Sequence, residues 1–444
     1  MLINGTAGAD TLIGGAGDDR LEGGDGADTL SGIEGSDSFF GGNGDDVILA
    51  GAYLDSQDSV VKLIDGGAGT DRLEIDFYVL DAVTVDLGNP AAVASILIDG
   101  AVRGTIVNVE RIDIGTGSGN DSIAGGELSD TLFGGNGNDT LRGGGGDDLM
   151  FGSVNIPSGS DDDLLDGGSG SDTVTYVQTG DPVSIDLNLQ GQVQNNGLGA
   201  GSDILIGIEN IQGSRYGDRL IGDDNANQID GMDGSDLIDG RGGDDELYIS
   251  SDFGNVRVTM MGGDGDDRIS AYFADRVTLD GGNGDDEIIA RVENAVIDAG
   301  AGDDIVTVDL ASADTYVTLG AGSDTLRLFQ TARAYQGGTR VIADFQTGDD
   351  GDILDLADYA TNSVFEHAPL GGNLFATGHF KLVQSGADTL FQVDTAGGGR
   401  PSYFPLTMLV FRNRNVDDFT SYNLAGQHPG QINPAMGTNG HDVL

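Results

Sequence analysis

The residues of this sequence that could do chemistry are aspartates, and their spacing narrows the chemistry. From residue 5 to residue 49 the chain divides into five consecutive nine-residue units: GTAGADTLI, GGAGDDRLE, GGDGADTLS, GIEGSDSFF and GGNGDDVIL. Each begins with glycine and has Gly at its fourth place, Asp at its sixth and an apolar residue at its eighth. The aspartates are Asp10, Asp19, Asp28, Asp37 and Asp46; the apolar residues are Leu12, Leu21, Leu30, Phe39 and Ile48. Glycine permits positive φ and lets main-chain carbonyls turn inward without a Cβ clash. The last residues of each unit read as a short strand with one side chain pointing inward. Two units then make one coil of about eighteen residues, and coils stack about 4.8 Å apart. Asp10 would lie over Asp28, Asp19 over Asp37 and Asp28 over Asp46. Carboxylates stacked so closely repel unless a cation lies between them. A hard cation that takes six to eight oxygen ligands suits such a cage, calcium before magnesium.

The same unit recurs along the chain and sets the elements that must position these groups. GGAGTDRLE supplies Asp71, and residues 116–151 supply Asp121, Asp130, Asp139 and Asp148. SGSDDDLLD and GGSGSDTVT add Asp163 and Asp172. Residues 213–248 add Asp218, Asp236 and Asp245, with Asn227 where Asp is expected, which predicts a weaker site there. Beyond this block Asp267, Asp286, Asp304 and Asp324 are separated by 19, 18 and 20 residues, which means one glycine loop per coil and a cation row along one edge only. Two irregular stretches interrupt the units and resemble each other at an offset of about 100 residues: VTVDL (83–87) matches VSIDL (183–187), and NVERI (108–112) matches GIENI (207–211). They read as widened, cation-free solenoid. For Asp86, Asp186, Glu110 and Glu209 in these stretches, solvent-facing or turn-capping roles are expected. Arg20, Arg142, Arg219 and Arg268 fall at strand positions and are expected to point outward against local acid.

The pattern G-G-x-G-x-D-x-U-x is similar to the haemolysin-type calcium-binding nonapeptide of RTX (repeats-in-toxin) proteins. The segments VIADFQTGDDGDILDL (341–356), GADTLFQVDTAGGG (386–399) and LVFRNRNVDDFTSYNL (409–424) resemble the region that follows the β-roll and serves as secretion target in type I secreted proteins. The resemblance implies an all-β fold, a parallel β-roll or β-helix solenoid, closed by a C-terminal β-sandwich-like cap. It also implies export as an unfolded chain by type I secretion machinery, several bound Ca2+ ions, and a secreted, extracellular or cell-surface location. The expected organisation is a β-roll block at 5–49, an irregular solenoid insert at 50–114, a second block at 115–175 and a second insert at 176–212 that repeats 75–114. A third roll at 213–330 follows, one-edged in its second half, then the cap and secretion-target-like region at 331–426. The tail at 427–444 ends in GTNGHDVL, the start of a further unit.

Composition agrees with this reading. The 444 residues include 77 glycines, 74 acidic and 20 basic residues, for a formal net charge of −54. The only lysines are Lys62 and Lys381. Such charge opposes compaction, and it argues against nucleic acid or an anionic membrane as partner. No cysteine is present, so disulfides and thiolate metal sites are excluded. The N-terminus shows no signal-peptide pattern, and no apolar run approaches the length of a spanning helix, so direct membrane insertion is not expected.

Catalytic constellations are not found. HExxH and G-x-S-x-G are absent, and the four histidines, His367, His379, His428 and His441, all lie in the last quarter. An EF-hand fails because Gln228 and Gly234 stand at the sixth and twelfth places of the loop opened by Asp223. An enzyme is therefore not expected. The leading expectation is a calcium-dependent structural, adhesive or surface-layer protein, whose partners beyond calcium are further copies of itself or a cell-surface glycan. The rivals are the noncatalytic export module of a larger secreted enzyme and a carbohydrate-binding module. About fifteen to twenty divalent ions would offset most of the net charge.

Overall fold

In a computed structural model of the protein, the described residues are 1–33, 35–50, 63–77, 81–89, 92–152, 161–197, 200–251, 256–309, 314–329, 338–356, 374–376, 378–394 and 406–425. They are all-β, with strands of three to eight residues, two single-turn 3-10 segments and no α-helix. The chain divides into two compact units, Met1–Ile221 and Gly222–Leu444.

In the first unit each nonapeptide ends in a strand, and strands one coil apart, eighteen residues where nothing is inserted, pair in parallel. Leu12 pairs with Leu30, Leu30 with Ile48 and Ile48 with Leu73. On the facing sheet Ile3 pairs with Leu21, Leu21 with Phe39 and Phe39 with Ile64. The eighth-place residue is the one that points inward: Leu21, Leu30, Ile48, Ile64 and Leu73 are fully buried. Two inward columns facing each other make a narrow apolar core, and the turns between them carry the aspartates. On the same sheet Ile75, Ile114, Leu132, Met150, Val174 and Ile211 form a column in the coils that follow.

The irregular stretches stay within this scheme. The strand Ala94–Ile98 runs antiparallel to both Val83–Asp86 and Ala101–Val107. Asp99 and Gly100, with φ of 54° and 74°, form the turn to Ala101–Val107, as expected of an Asp-Gly hairpin. Parallel pairing resumes on either side, Ile106 with Ile64 and Val85 with Ile123. The insert is therefore a hairpin excursion from a coil.

Beyond residue 248 the second unit has longer strands and one glycine loop per coil. Arg257–Asp264, Arg276–Asn283 and Asn294–Ala301 pair in parallel, with Met260, Leu279 and Ile297 in one buried column. Ile269, Ile288, Val306, Leu326 and Leu354 form the facing column. The turn opposite the glycine loop is ordinary main chain, where Asn294 N donates to Asp275 O at 3.0 Å. At its C-terminal end Arg340–Ile342 pairs in parallel with Leu406–Phe411, which then pairs antiparallel with Asp388–Val393, itself antiparallel to Phe380–Ser385. Phe345 packs against Phe411 and Phe419 at centroid distances of 4.8 and 5.6 Å, and Phe380 against Phe391 at 5.2 Å. The tail expected at 427–444 lies outside the described residues.

Candidate metal centre

The turns stack the sixth-place aspartates into ladders along the coil edges. On one edge of the first unit Asp10 N donates to Asp28 Oδ1 at 2.7 Å, Asp28 N to Asp46 Oδ1 at 2.8 Å and Asp46 N to Asp71 Oδ1 at 2.9 Å. After the first insert, Ile112 N donates to Asp130 Oδ1, Asp130 N to Asp148 Oδ1 and Asp148 N to Asp172 Oδ1. On the other edge Asp19 N donates to Asp37 Oδ1; after the insert Asp121, Asp139 and Asp163 form the same chain, and Asp218 Oδ1 accepts from Val183 N at 2.8 Å. In the second unit a single ladder runs from Asn227 through Asp245, Asp267, Asp286 and Asp304 to Asp324. Asp236 is buried, and its carbonyl accepts from Thr259 N at 2.9 Å. Every one of these aspartates is buried except Asp10, which is half-buried in the first coil.

Several ladder members have no nonapeptide signature. Glu110 Oε2 accepts from Asp71 N at 2.9 Å, and Glu209 Oε2 from Asp172 N at 2.8 Å. The longer glutamate side chains thus stand where an aspartate would, and the two irregular stretches rejoin the same edge in the same way. Asp86 and Asp186, by contrast, accept from the N–H two residues on, at 3.0 Å, as turn caps. Asp203 Oδ1 accepts from Asp163 N at 2.9 Å, and Asp352 Oδ1 from Asp324 N at 3.2 Å. A second, exposed row comes from fifth-place aspartates: Asp266 N donates to Asp244 Oδ1 at 3.0 Å, Asp285 N to Asp266 Oδ1 at 2.8 Å and Asp303 N to Asp285 Oδ1 at 2.7 Å.

In many of these carboxylates one oxygen is thereby engaged and the other is left bare. Oδ2 of Asp28, Asp46, Asp71, Asp139, Asp148 and Asp172 is buried without a hydrogen-bond partner, and so is Oδ2 of Asp121, Asp245, Asp267, Asp286, Asp304 and Asp324. A buried anionic oxygen with no donor is costly. Carbonyls crowd the same place. A Cβ on Gly23 would collide with both Asp28 Oδ2 and the Gly41 carbonyl, and one on Gly281 with both Asp286 Oδ2 and the Ala299 carbonyl. At Gly23 and Gly281 the first place of the loop takes glycine because carboxylate and carbonyl oxygens converge on it. Among the described residues no three acidic or imidazole side chains meet at one point, so an ion here must draw on main-chain carbonyls as well as carboxylates. A hard, oxygen-seeking ion with flexible geometry fits that donor set.

Burial sets the electrostatics. Desolvation pushes the carboxyl of Asp139 up to about 8, those of Asp71, Asp148, Asp245, Asp286 and Asp324 up to about 7, and those of Asp172, Asp267 and Asp304 up to about 6. The N–H bond from the preceding coil opposes this rise, and neighbouring carboxylates add to it, Asp304 and Asp267 in the case of Asp286. Asp163 and Asp203, facing each other in the interior, are both raised, chiefly by desolvation. Without a cation these turns therefore favour protons over charge.

A parallel β-roll whose turns stack bare carboxylate oxygens among carbonyls is the architecture of a calcium-binding repeat protein. The RTX calcium-binding nonapeptide repeat family matches residues 2–30, 22–52, 115–150, 158–175, 211–248 and 280–310, and the chain is an RTX-type calcium-binding β-roll protein. No curated protein matches it.

Proposed function

We infer that this is a secreted protein that folds when extracellular calcium fills its turns, and that it then serves as a structural or adhesive element of a surface layer, matrix or cell surface. The ligands in this reading are the ladder aspartates whose Oδ2 is buried without a donor, from Asp28 to Asp324. The observation that carries it is the row of buried Oδ2 atoms without donors. A bound calcium ion supplies two positive charges to each such cradle and joins one coil to the next. Where calcium is scarce, the stacked carboxylates repel, the narrow core is too small to compensate, and the chain stays disordered for export. Once calcium is available, folding and binding are one equilibrium.

Calcium titration followed together by circular dichroism and light scattering tests this. Coil in chelator, β-structure on addition of about 0.1–1 mM calcium, and calcium-driven growth in scattering are expected. A chain fully folded in chelator at neutral pH rules the reading out. The resemblance of 341–424 to a secretion target region supports a second reading, the noncatalytic export module of a larger secreted enzyme. A catalytic domain upstream in the same reading frame, with scattering unchanged by calcium, favours that alternative.

A further inference from the structure

The loops are not alike. In most of them the second residue has positive φ: Gly24 112°, Gly42 116°, Gly144 108°, Gly263 124°, Gly282 116°. In these loops Oδ2 of the sixth-place aspartate is bare. In another set the second residue lacks positive φ, and its N–H donates to the loop's own sixth-place side chain. Thr6 N reaches Asp10 Oδ2 at 2.5 Å, Gly15 N reaches Asp19 Oδ2 at 2.7 Å, Gly126 N reaches Asp130 Oδ2 at 2.7 Å and Ser214 N reaches Asp218 Oδ2 at 2.6 Å. Asn227 does the same with its amide oxygen, which accepts from Asp223 N at 2.8 Å. At Asp19, Asp130 and Asp218 both carboxylate oxygens are engaged, and at Asp10 Oδ2 accepts from both Thr6 N and Thr6 Oγ1. The loops of Asp37 and Asp121 follow neither pattern: neither Ile33 nor Gly117 is left-handed, Asp37 accepts from Asp19 N, and Asp121 Oδ2 is bare.

We propose that the chain has two kinds of turn, calcium-taking and self-capped, and that the backbone sense of the second loop residue selects between them. Resting on the calcium reading above, this assigns no ion to Oδ2 of Asp10, Asp19, Asp130 or Asp218. A calcium ion there would have to displace an N–H already bound to the charged oxygen, whereas in the left-handed loops that N–H makes no bond to the carboxylate and Oδ2 faces only carbonyls. The self-capped turns fall at the margins of the bare ones. Along one edge Asp10 comes before Asp28 and, past the insert, Asp130 comes before Asp148; in the second unit Asn227 comes before Asp245. At the far end Asp352, whose Oδ2 accepts from Gln346 N at 2.6 Å, follows Asp324. Beside the second insert, Asp203 Oδ2 is filled by Tyr176 Oη at 2.7 Å and Asn196 Nδ2 at 2.8 Å. Calcium is thus confined to separate banks whose margins are closed by protein donors.

Asn227 shows which substitution separates the two kinds of turn, because an amide oxygen serves a self-capped turn as well as a carboxylate does. Calcium per folded chain is measured by native mass spectrometry, and the calcium midpoint of folding by circular dichroism, for the full-length chain and four variants. Asp148→Asn and Asp286→Asn are expected to lose at least one ion and to need severalfold more calcium to fold. Asp130→Asn and Asp218→Asn are expected to keep the wild-type ion count and midpoint. Loss of an ion from either of the last two overturns the division, and it does so even if the first two never fold. A wild-type chain that binds no calcium removes the calcium reading and the division together, whereas a loaded wild type with equal losses from both classes removes the division alone.

Discussion

At the scale of the residue, the working unit is one carboxylate with two unlike oxygens. Oδ1 of Asp46 holds the N–H of Asp28, which fixes coil register, while Oδ2 is left for a ligand. The aspartates of this kind are legible in the sequence because the nine-residue period names them. Glu110 and Glu209 are not, since each lies 37 to 39 residues from its ladder partner and carries a longer side chain. Asp352 is hidden for a similar reason: its loop, QTGDDGD, does not open on glycine. The exposed Asp244–Asp303 row is present in the sequence as the first acid of each GDD, but nothing in the period separates it from solvated charge. Strain is also local. Met232 takes the second place of its loop with φ 60°, a conformation costing an L-residue about 1–2 kcal/mol, part of which glycine's greater unfolded freedom offsets. Met232→Gly is accordingly expected to raise stability at saturating calcium by about 0.5–1 kcal/mol, measured by denaturant titration; a loss of stability would contradict this account of the loop.

At the scale of the element, a coil is two short strands, each contributing one or two inward side chains, so each of these matters. Leu30 is fully buried between Leu12 and Ile48. Leu30→Ala is expected to cost about 2–5 kcal/mol, readable as a lower denaturant midpoint at fixed calcium. The loop is equally exacting. Gly282 has φ 116°, and a Cβ there would collide with the Gly263 carbonyl oxygen of the neighbouring coil. Gly8, by contrast, has open space around its Cβ position. Gly282→Ala should therefore raise the calcium midpoint clearly, with a cost of about 1–3 kcal/mol, while Gly8→Ala should leave it nearly unmoved; equal effects would show that crowding between coils is not what demands the glycine. The eighteen-residue coil was readable from the spacing alone. The antiparallel course of Ala94–Ile98 is not legible in the sequence, although its Asp99–Gly100 turn is a local hairpin signal, because the β-branched runs on either side suit a parallel coil equally well.

At the scale of the whole molecule, a formal charge of −54 governs behaviour. The folded turns hold carboxyls raised to about 6–8, against 3.8 for a free aspartate. The metal-free fold therefore binds more protons than the unfolded chain. Its proton-linked stability is fully present below about pH 4 and is lost as pH rises through 6–8. In chelator, circular dichroism should show β-structure near pH 4–5 that melts to coil by about pH 8, and the calcium midpoint should rise as pH falls because protons compete for the same oxygens. A chelated chain that gains structure with rising pH would refute this. At pH 7.5, removal of calcium should unfold the protein, and magnesium, which demands tighter octahedral geometry and gives up water reluctantly, should not restore it.

The edge bond that joins Asp28 to Asp46 spans 18 residues; the same bond spans 25 from Asp46 to Asp71 and 39 from Asp71 to Glu110. The ladder is thus a rail of fixed gauge on which the length of each loop is free. Sequence can be hung from a coil without the neighbouring coils registering the change, and the hairpin around Asp99–Gly100 is one such pendant already in place. A foreign peptide grafted at that turn would alter what the rail displays and leave its gauge as it was.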